Sequence, residues 1–92
     1  MIKSWLHKGL HKFYETGSKA GIQPKHASTL SLLLFQLTNA TNPKDMDTPG
    51  NYLHKLAGDL HDYFSVRVSG NWRIIFKFEG NDAILVDYLD YH

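Results

Sequence analysis

The chain has 92 residues, of which 42% are hydrophobic and none is cysteine, and its formal net charge is +1. This length suits one domain, 1–92, and the lack of cysteine excludes disulfide bonds and thiolate metal sites. No apolar run approaches the roughly 20 residues of a membrane span, and the polar start is unlike a secretory signal, so we expect a cytoplasmic protein.

The first predicted elements are a short N-terminal segment and a helix. Residues 2–5 are compatible with an edge strand or with an extended lead-in. Residues 7–14 follow a helical period, and Gly17 suits the left-handed position that often ends a helix. The predicted apolar stripe of this helix consists of Leu6, Leu10, Phe13 and Tyr14.

A second helix is predicted over 24–39, because Pro24 is favourable in the first turn of a helix. A polar loop with two prolines follows at 41–50. The predicted buried face of the second helix consists of Ala27, Leu30, Leu33, Leu34 and Leu37.

The remaining sequence alternates between apolar and polar residues, which is typical of strands. Strands are predicted at 52–56, 63–69, 72–78 and 83–90, with turns at 58–59, 70–71 and 80–82. Helices followed by hairpin-linked strands predict an α+β domain, with two N-terminal helices packed on one face of a small antiparallel β-sheet.

The alternation places Arg67, Arg73 and Lys77 on the sheet face that the helices leave uncovered. A cationic sheet face is a plausible platform for a phosphate backbone. An antiparallel sheet with one solvated face also needs polar residues there for solubility alone. The three charges are compatible with both interpretations.

Six histidines are present, and His7 and His11 have the i, i+4 spacing that can share a metal ion. No glutamate lies between them and no third ligand is evident nearby. We therefore predict an ordinary exposed helix face at these positions, with no metal site and no cofactor.

The C-terminus ends in Asp90, Tyr91 and His92, an acid, a phenol and an imidazole at the tip of the last predicted strand. Strict alternation predicts Asp90 and His92 on one face and Tyr91 on the other. A tail that is polar only for solubility is the alternative explanation.

Several short motifs together resemble a known family. They are Ile2-Lys3-Ser4-Trp5, His7-Lys8-Gly9-Leu10, Leu56-Ala57-Gly58-Asp59, Ser65-Val66-Arg67-Val68, Asn71-Trp72-Arg73 and the terminal Asp90-Tyr91-His92. In their order and spacing they resemble the HigB branch of the RelE-like bacterial toxins. The resemblance extends over nearly the whole chain and is weakest between residues 23 and 49.

The resemblance implies a RelE-like fold and a toxin that enters the ribosomal decoding site and cleaves messenger RNA without a metal ion. It also implies a partner, a HigA-like helix-turn-helix antitoxin that neutralises the toxin and represses their shared operon. Operator DNA would be bound only through that complex, and no membrane is involved.

The resemblance also implies roles for individual residues. His92 transfers protons, Asp90 orients or assists it, and Tyr91 stacks on a base or helps proton transfer. Arg73 is the candidate for stabilising the charged phosphorus, and His54 is a second proton-transfer group. The candidates for contacts with the RNA backbone are Arg67, Lys55 and Lys77.

Two positions differ from the family pattern, since relatives often carry lysine at Ala57 and a basic residue at Leu60. Lys55 is a candidate substitute for the first. The alternative to an enzyme is a non-catalytic binding module, which uses the same basic face to block the ribosome or to hold a protein. A third possibility is a remnant that has lost its activity.

Overall fold

The computed structural model describes residues 1–91, which form two α-helices and a four-stranded antiparallel sheet. In chain order these are α1 (Lys8–Thr16), α2 (Ala27–Asn39), β1 (His54–Lys55), β2 (Phe64–Ser69), β3 (Trp72–Glu79) and β4 (Asp82–Asp90). Two N-terminal helices followed by hairpin-linked strands confirm the predicted α+β class. No helix in residues 1–91 is both long and apolar enough to cross a membrane.

Helix α1 is bounded by two residues outside its apolar stripe. The Nδ1 atom of His7 accepts the backbone N–H of Leu10 at 2.9 Å and so caps the first turn. Gly17 ends the helix with a φ of 80°, as predicted. The predicted stripe is half correct: Leu10 and Phe13 are buried, but Leu6 and Tyr14 are largely exposed.

Helix α2 begins after a 3-10 turn over Pro24–His26, so the predicted helix start at Pro24 is a tighter turn than expected. Its inner face is buried as predicted at four leucines. On its outer face, Leu32 and Phe35 are both 70% exposed. The buried leucines are Leu30, Leu33, Leu34 and Leu37.

The sheet has the order β1-β2-β3-β4, so strands adjacent in sequence are also paired in space. The β2–β3 hairpin turns at Gly70, whose φ of 56° is readily adopted by glycine. At the β3–β4 turn Glu79 pairs with Asp82, so β4 begins one residue earlier than predicted. Both predicted hairpins are confirmed.

The N-terminal segment covers the outer edge of β4 in a parallel direction. Isolated bridges join Ile2 to Ala83 and Trp5 to Val86. The hydroxyl of Ser4 accepts the backbone N–H of Leu85 at 2.8 Å, where β4 bulges. The segment is thus intermediate between the two predicted possibilities, and it satisfies polar groups that an open strand edge would expose.

Strand β1 is shorter than predicted, with two residues instead of the five at 52–56. Tyr52 has a φ of 51°, which lies in the left-handed region and is incompatible with a strand. The segment is nevertheless held to the sheet, because the N–H of Arg67 donates to the carbonyl oxygen of Asn51 at 2.8 Å.

The pairing register assigns the sheet residues to two faces. The face toward the helices carries the apolar side chains of the core, including Val66, Ile74 and Phe76. The opposite face carries Arg67 and Arg73, as predicted, but it is not uniformly solvated. Five of its members in β2 and β3 are Ser65, Arg67, Arg73, Ile75 and Lys77, of which Ser65 and Ile75 are buried.

Candidate active site

A pocket of about 330 Å³ opens on the sheet face opposite to the helices. Its size is near the lower end of the roughly 300–1,000 Å³ that small-ligand sites occupy. Three of the predicted site residues, His54, Arg73 and Tyr91, line this pocket together. The complete lining consists of Tyr52, His54, Leu56, Ser65, Arg73 and Tyr91.

Arg73 is half-buried near the beginning of β3 and lies directly opposite Arg67 of β2. Like charges at directly paired positions are unfavourable. Neither guanidinium belongs to any of the ion pairs found within residues 1–91. The guanidinium of Arg73, which lines the pocket, can bind an anion such as phosphate there.

His54 reaches the pocket from the short edge strand β1. It pairs with Ser65 of β2, and the register therefore puts its exposed imidazole on the same face as Arg73. Ser65 is almost fully buried in the floor of the pocket. The imidazole and the guanidinium thus meet the same space from two different strands.

Tyr91 follows the last residue of β4, and its side chain is 40% exposed. Its backbone N–H donates to the carbonyl oxygen of Asn71 at 2.8 Å. This bond ties the end of the described chain to the β2–β3 turn, two residues before Arg73. The phenol is thereby held at the pocket although it lies beyond the strand.

Asp90 has a different position from Tyr91. It is the register partner of Trp72, which packs against the helix-facing core, whereas Arg73 pairs with Leu89. The predicted separation of Asp90 and Tyr91 onto opposite faces is therefore found, and Tyr91 is the one on the side of Arg73. His92, the other predicted member of this cluster, lies outside the described residues.

The predicted RNA-binding residues do not form one group. Lys77 shares the face of Arg73 but lies four residues further along β3, roughly 13 Å away, with its Nζ 4.9 Å from the ring centre of Tyr63. Arg67 lies over the ring of Tyr52, with 5.4 Å between its Cζ and the ring centre. Lys55 pairs with Phe64 and so faces the opposite side of the sheet from His54.

The histidines of α1 have structural partners. His7 caps the helix, and His11 stacks on Trp5 with 4.9 Å between the ring centres. Among residues 1–91, no group of three or more His, Cys, Asp or Glu side chains is arranged to hold a metal ion. The donor atoms present in this part of the chain therefore fit no metal centre.

His26 is a buried histidine outside the pocket, with its Nδ1 atom 2.6 Å from the hydroxyl oxygen of Tyr88. Burial, together with the charge of Lys25, lowers the pKa of His26, and burial raises the pKa of Tyr88. Both groups are therefore neutral at neutral pH, and they join the turn before α2 to β4.

A second, larger groove of about 680 Å³ lies between α2, the loop at 48–51 and the end of β2. Among residues 1–91, Arg67 is the one predicted site residue that contributes to its lining. Its other lining residues are uncharged and include both apolar side chains, such as Leu32 and Phe35, and polar ones, such as Gln36 and Asn51. The groove therefore lacks the groups that acid–base chemistry requires.

Sequence reasoning missed Tyr52 and Ser65 as pocket residues. The alternating pattern predicts a regular strand at Tyr52 and does not reveal its left-handed backbone. The pattern predicts the correct face for Ser65, but it does not show that this position is buried. A tyrosine directly after Gly50-Asn51, two residues with turn propensity, was the available signal for Tyr52.

Comparison with known proteins identifies relatives over the full chain. The protein named Endoribonuclease HigB from Proteus vulgaris is 37% identical over 92 residues, which cover all of both chains. Identity at this level over the entire length indicates a common fold and common ancestry.

Two solved structures share the fold at lower identity. A YoeB/ParE toxin from Agrobacterium tumefaciens has a TM-score of 0.59 at 14% identity, covering 97% of this chain and 99% of its own. The YoeB-YefM complex from Staphylococcus aureus has a TM-score of 0.58 at 15% identity, covering 100% of this chain and 98% of its own. These likenesses confirm the RelE-like fold.

The family comparison agrees with both results. Residues 3–92 match the family HigB-like toxin, described as the RelE-like toxin of the type II toxin-antitoxin system HigB. The match includes every motif on which the sequence resemblance depends, except for the first residue of the N-terminal one. The chain is therefore a member of the HigB-like family of RelE-like toxins of type II toxin-antitoxin systems.

Proposed function

We propose that this toxin is an endoribonuclease that cleaves messenger RNA on the ribosome, in the pocket containing His54, Arg73 and Tyr91. The observation that carries the proposal is the convergence of an imidazole, a guanidinium and a phenol in one open pocket. The name of the relative from Proteus vulgaris, an endoribonuclease, supports the same activity.

In the proposed reaction, the ribose 2′-oxygen attacks the adjacent phosphorus, and the bond between phosphorus and the 5′-oxygen breaks. One group takes the proton of the 2′-hydroxyl, and a second protonates the departing 5′-oxygen. A cation stabilises the additional negative charge on the phosphate oxygens. The products are a 2′,3′-cyclic phosphate and a 5′-hydroxyl end.

His54, Arg73 and Tyr91 of the described pocket, together with the C-terminal residues Asp90 and His92, are the groups proposed for these steps. Arg73 remains charged at neutral pH and offers planar donors to the phosphate oxygens. His54 and His92 are the proposed proton-transfer groups, because an imidazole with a pKa near ~6.5 both gives and takes protons at neutral pH. Tyr91 stacks on a base or assists proton transfer, and Asp90 acts as a positioning residue for the C-terminal end.

The proposed mechanism uses no metal ion. The described pocket residues provide one imidazole and no carboxylate, which is a poor ligand set for a divalent cation. Arg73 takes the role of charge stabilisation that a metal has in other nucleases.

The basic residues around the pocket are proposed to guide the RNA backbone. Arg67 and Lys77 share the face of Arg73, and they extend the positive charge along the sheet. Lys55 adds charge at the β1 edge from the other side. Because such contacts release counterions, binding is expected to weaken steeply as the salt concentration rises.

The family of type II toxin-antitoxin systems supports an antitoxin as partner. We propose that it is a HigA-like helix-turn-helix protein, and that the toxin reaches operator DNA only within that complex. Translating ribosomes and their messenger RNA are the proposed targets, so the proposed location is the cytoplasm.

A non-catalytic module that blocks the ribosome is the second candidate, favoured by the basic residues Arg67, Arg73 and Lys77 on one face. The test is growth of cells that express the toxin without antitoxin. Replacement of Arg73 by alanine, or deletion of His92, is expected to restore growth at equal protein level. Toxicity that survives both changes would contradict cleavage and favour blocking.

A further inference from the structure

Tyr52 is an exposed aromatic residue at the rim of the pocket and has no role in the proposed proton transfers. Its side chain is 65% exposed, and it lines the same pocket as Arg73 and Tyr91. Leaving a ring of this size in water forgoes the free energy of burying it. Its position at the pocket therefore calls for a physical reason.

The backbone of Tyr52 is strained, with a φ of 51°. A residue with a side chain rarely adopts this conformation, and such strain often occurs at functional sites. Glycine would adopt it more easily. A tyrosine retained in this conformation indicates that the ring contributes something that glycine could not.

The residue before Tyr52 is firmly anchored. The side-chain amide of Asn51 donates to the Oε1 atom of Gln36 and to the carbonyl oxygen of Met46, both at 2.9 Å. Its carbonyl oxygen accepts the N–H of Arg67 at 2.8 Å. These bonds join Asn51 to α2, to the loop and to β2, so the attachment point of the tyrosine is fixed.

The ring of Tyr52 is also held from one side. The guanidinium of Arg67 lies 5.4 Å from its centre, a distance typical of a cation–π contact. Arg67 lines the larger groove and is absent from the lining of the small pocket. Arg67 therefore contacts the ring from outside the small pocket, and the ring itself remains part of the pocket lining.

We propose that Tyr52 forms a nucleobase-stacking subsite, in which an unpaired base of the RNA lies on the ring side that Arg67 leaves uncovered. Base stacking on an aromatic ring is tolerant of sequence and suits single-stranded RNA. Together with Tyr91, Tyr52 would hold the bases next to the phosphodiester at Arg73. This subsite depends on the proposed function, since it serves the same RNA.

The sharpest test replaces Tyr52 by glycine, which removes the ring and also relieves the strained backbone. The Y52G variant is expected to fold with an undiminished unfolding midpoint, but to bind RNA about tenfold more weakly. Y52F keeps the ring and should bind like the wild type. Y14A, which removes an exposed tyrosine of α1 away from the pocket, is the matched control.

Binding is measured on ribosomes programmed with a message that carries a 2′-O-methyl group at the mapped cleavage position, so that it cannot be cut. The bases flanking this position are then removed one at a time as abasic nucleotides. One removal is expected to weaken wild-type binding about tenfold and to leave Y52G unchanged. Equal binding by wild type and Y52G, or a Y52F defect as large as that of Y52G, would overturn the subsite.

The same ribosomes distinguish failure of the subsite from failure of the proposed function. If the proposed function is correct, the wild type cuts the unmodified message, whether or not Tyr52 stacks on a base. Absence of cleavage by the wild type would contradict the proposed function. The unmodified message would then need no blocking group, and comparing the binding of wild type and Y52G to it would still test the stacking role. If Y52G failed to fold, the abasic series with wild type and Y52F would test the stacking role. The proposal would be overturned if none of the flanking bases weakened binding when removed.

Discussion

At the scale of single residues, the site depends on which face of the sheet each side chain occupies. His54 and Lys55 are adjacent in β1, yet the register puts His54 with Ser65 and Lys55 with Phe64. Only one of these two residues therefore reaches the pocket, although both were predicted to take part in RNA cleavage or binding. The lysine instead has its Nζ 6.0 Å from the ring centre of Phe64.

This difference predicts unequal effects of two neighbouring substitutions. H54A is expected to slow message cleavage by roughly 10²-fold or more, the usual loss for a proton-transfer group. K55A removes a charge outside the pocket and should change the rate less than about threefold at moderate salt. Single-turnover cleavage on programmed ribosomes measures both, and a K55A loss as large as that of H54A would contradict this assignment of faces.

At the scale of elements, a pair of glycines sets the position of α1. A Cβ atom added at Gly9 would lie 2.3 Å from the carbonyl oxygen of Gly21 and 2.7 Å from its Cα atom. Both contacts involve backbone, which has little room to move. The first turn of α1 therefore approaches the loop before α2 more closely than any other residue type would permit.

Gly9 should accordingly respond to alanine in the opposite sense to most helix glycines. Alanine usually stabilises a helix interior by about 1 kcal/mol relative to glycine. Here we expect G9A to lower the free energy of unfolding by about 1–3 kcal/mol, as overpacked sites do. Urea unfolding measures it, with S31A at an exposed position of α2 as control, and a stabilised G9A would contradict the close approach.

At the scale of the whole molecule, the hydrogen bond between His26 and Tyr88 links the helical layer to the sheet across 62 residues of sequence. Both side chains are almost completely buried, and Trp72 packs its ring against each of them. Burial favours the neutral form of both groups, so the contact is sensitive to acid and to strong base.

The stability of the fold should therefore fall at both ends of the pH scale. Because the pKa of His26 is lowered on folding, the unfolded chain takes up this proton first. The contribution of neutral His26 to the free energy of unfolding is complete above about pH 6.5. It is lost as the pH falls, by at most about 1.4 kcal/mol per pH unit. The raised pKa of Tyr88 has the corresponding effect above about pH 10.

Unfolding free energies between pH 7.5 and 5.5 test this coupling. H26N keeps a hydrogen-bonding group for the tyrosine but cannot be protonated, so its stability should depend less on pH than that of the wild type. H61Q, which removes an exposed histidine, controls for the loss of an imidazole elsewhere. Equal slopes for H26N and the wild type would show that His26 does not cause the loss.

Much of this architecture could be predicted because local sequence patterns determine it. The alternation through Val66 and Ile74 defines the buried face of the sheet, and Gly17 and Gly70 mark the ends of elements. The left-handed Tyr52 and the short β1 could not be predicted in this way. Both depend on bonds that Asn51 makes with α2 and β2, which are distant in sequence.

The same distinction applies to the site. Arg73 and Tyr91 could be selected because they stand in motifs that resemble a family, and His54 because it matches a functional position of that family. Their meeting in one pocket depends on the β2–β3 register and on the bond from Tyr91 to Asn71, which the sequence does not display. The opposite placement of Lys55 likewise required the pairing of β1 with β2.

The most direct measurement for the central claim is single-turnover cleavage of a ribosome-bound message by wild type and R73A at saturating toxin. We expect fragments with 2′,3′-cyclic phosphate and 5′-hydroxyl ends from the wild type. For R73A, which should keep the wild-type fold, we expect a rate lower by roughly 10²–10³-fold. Cleavage by R73A at the wild-type rate would place the chemistry elsewhere and contradict the role proposed for Arg73.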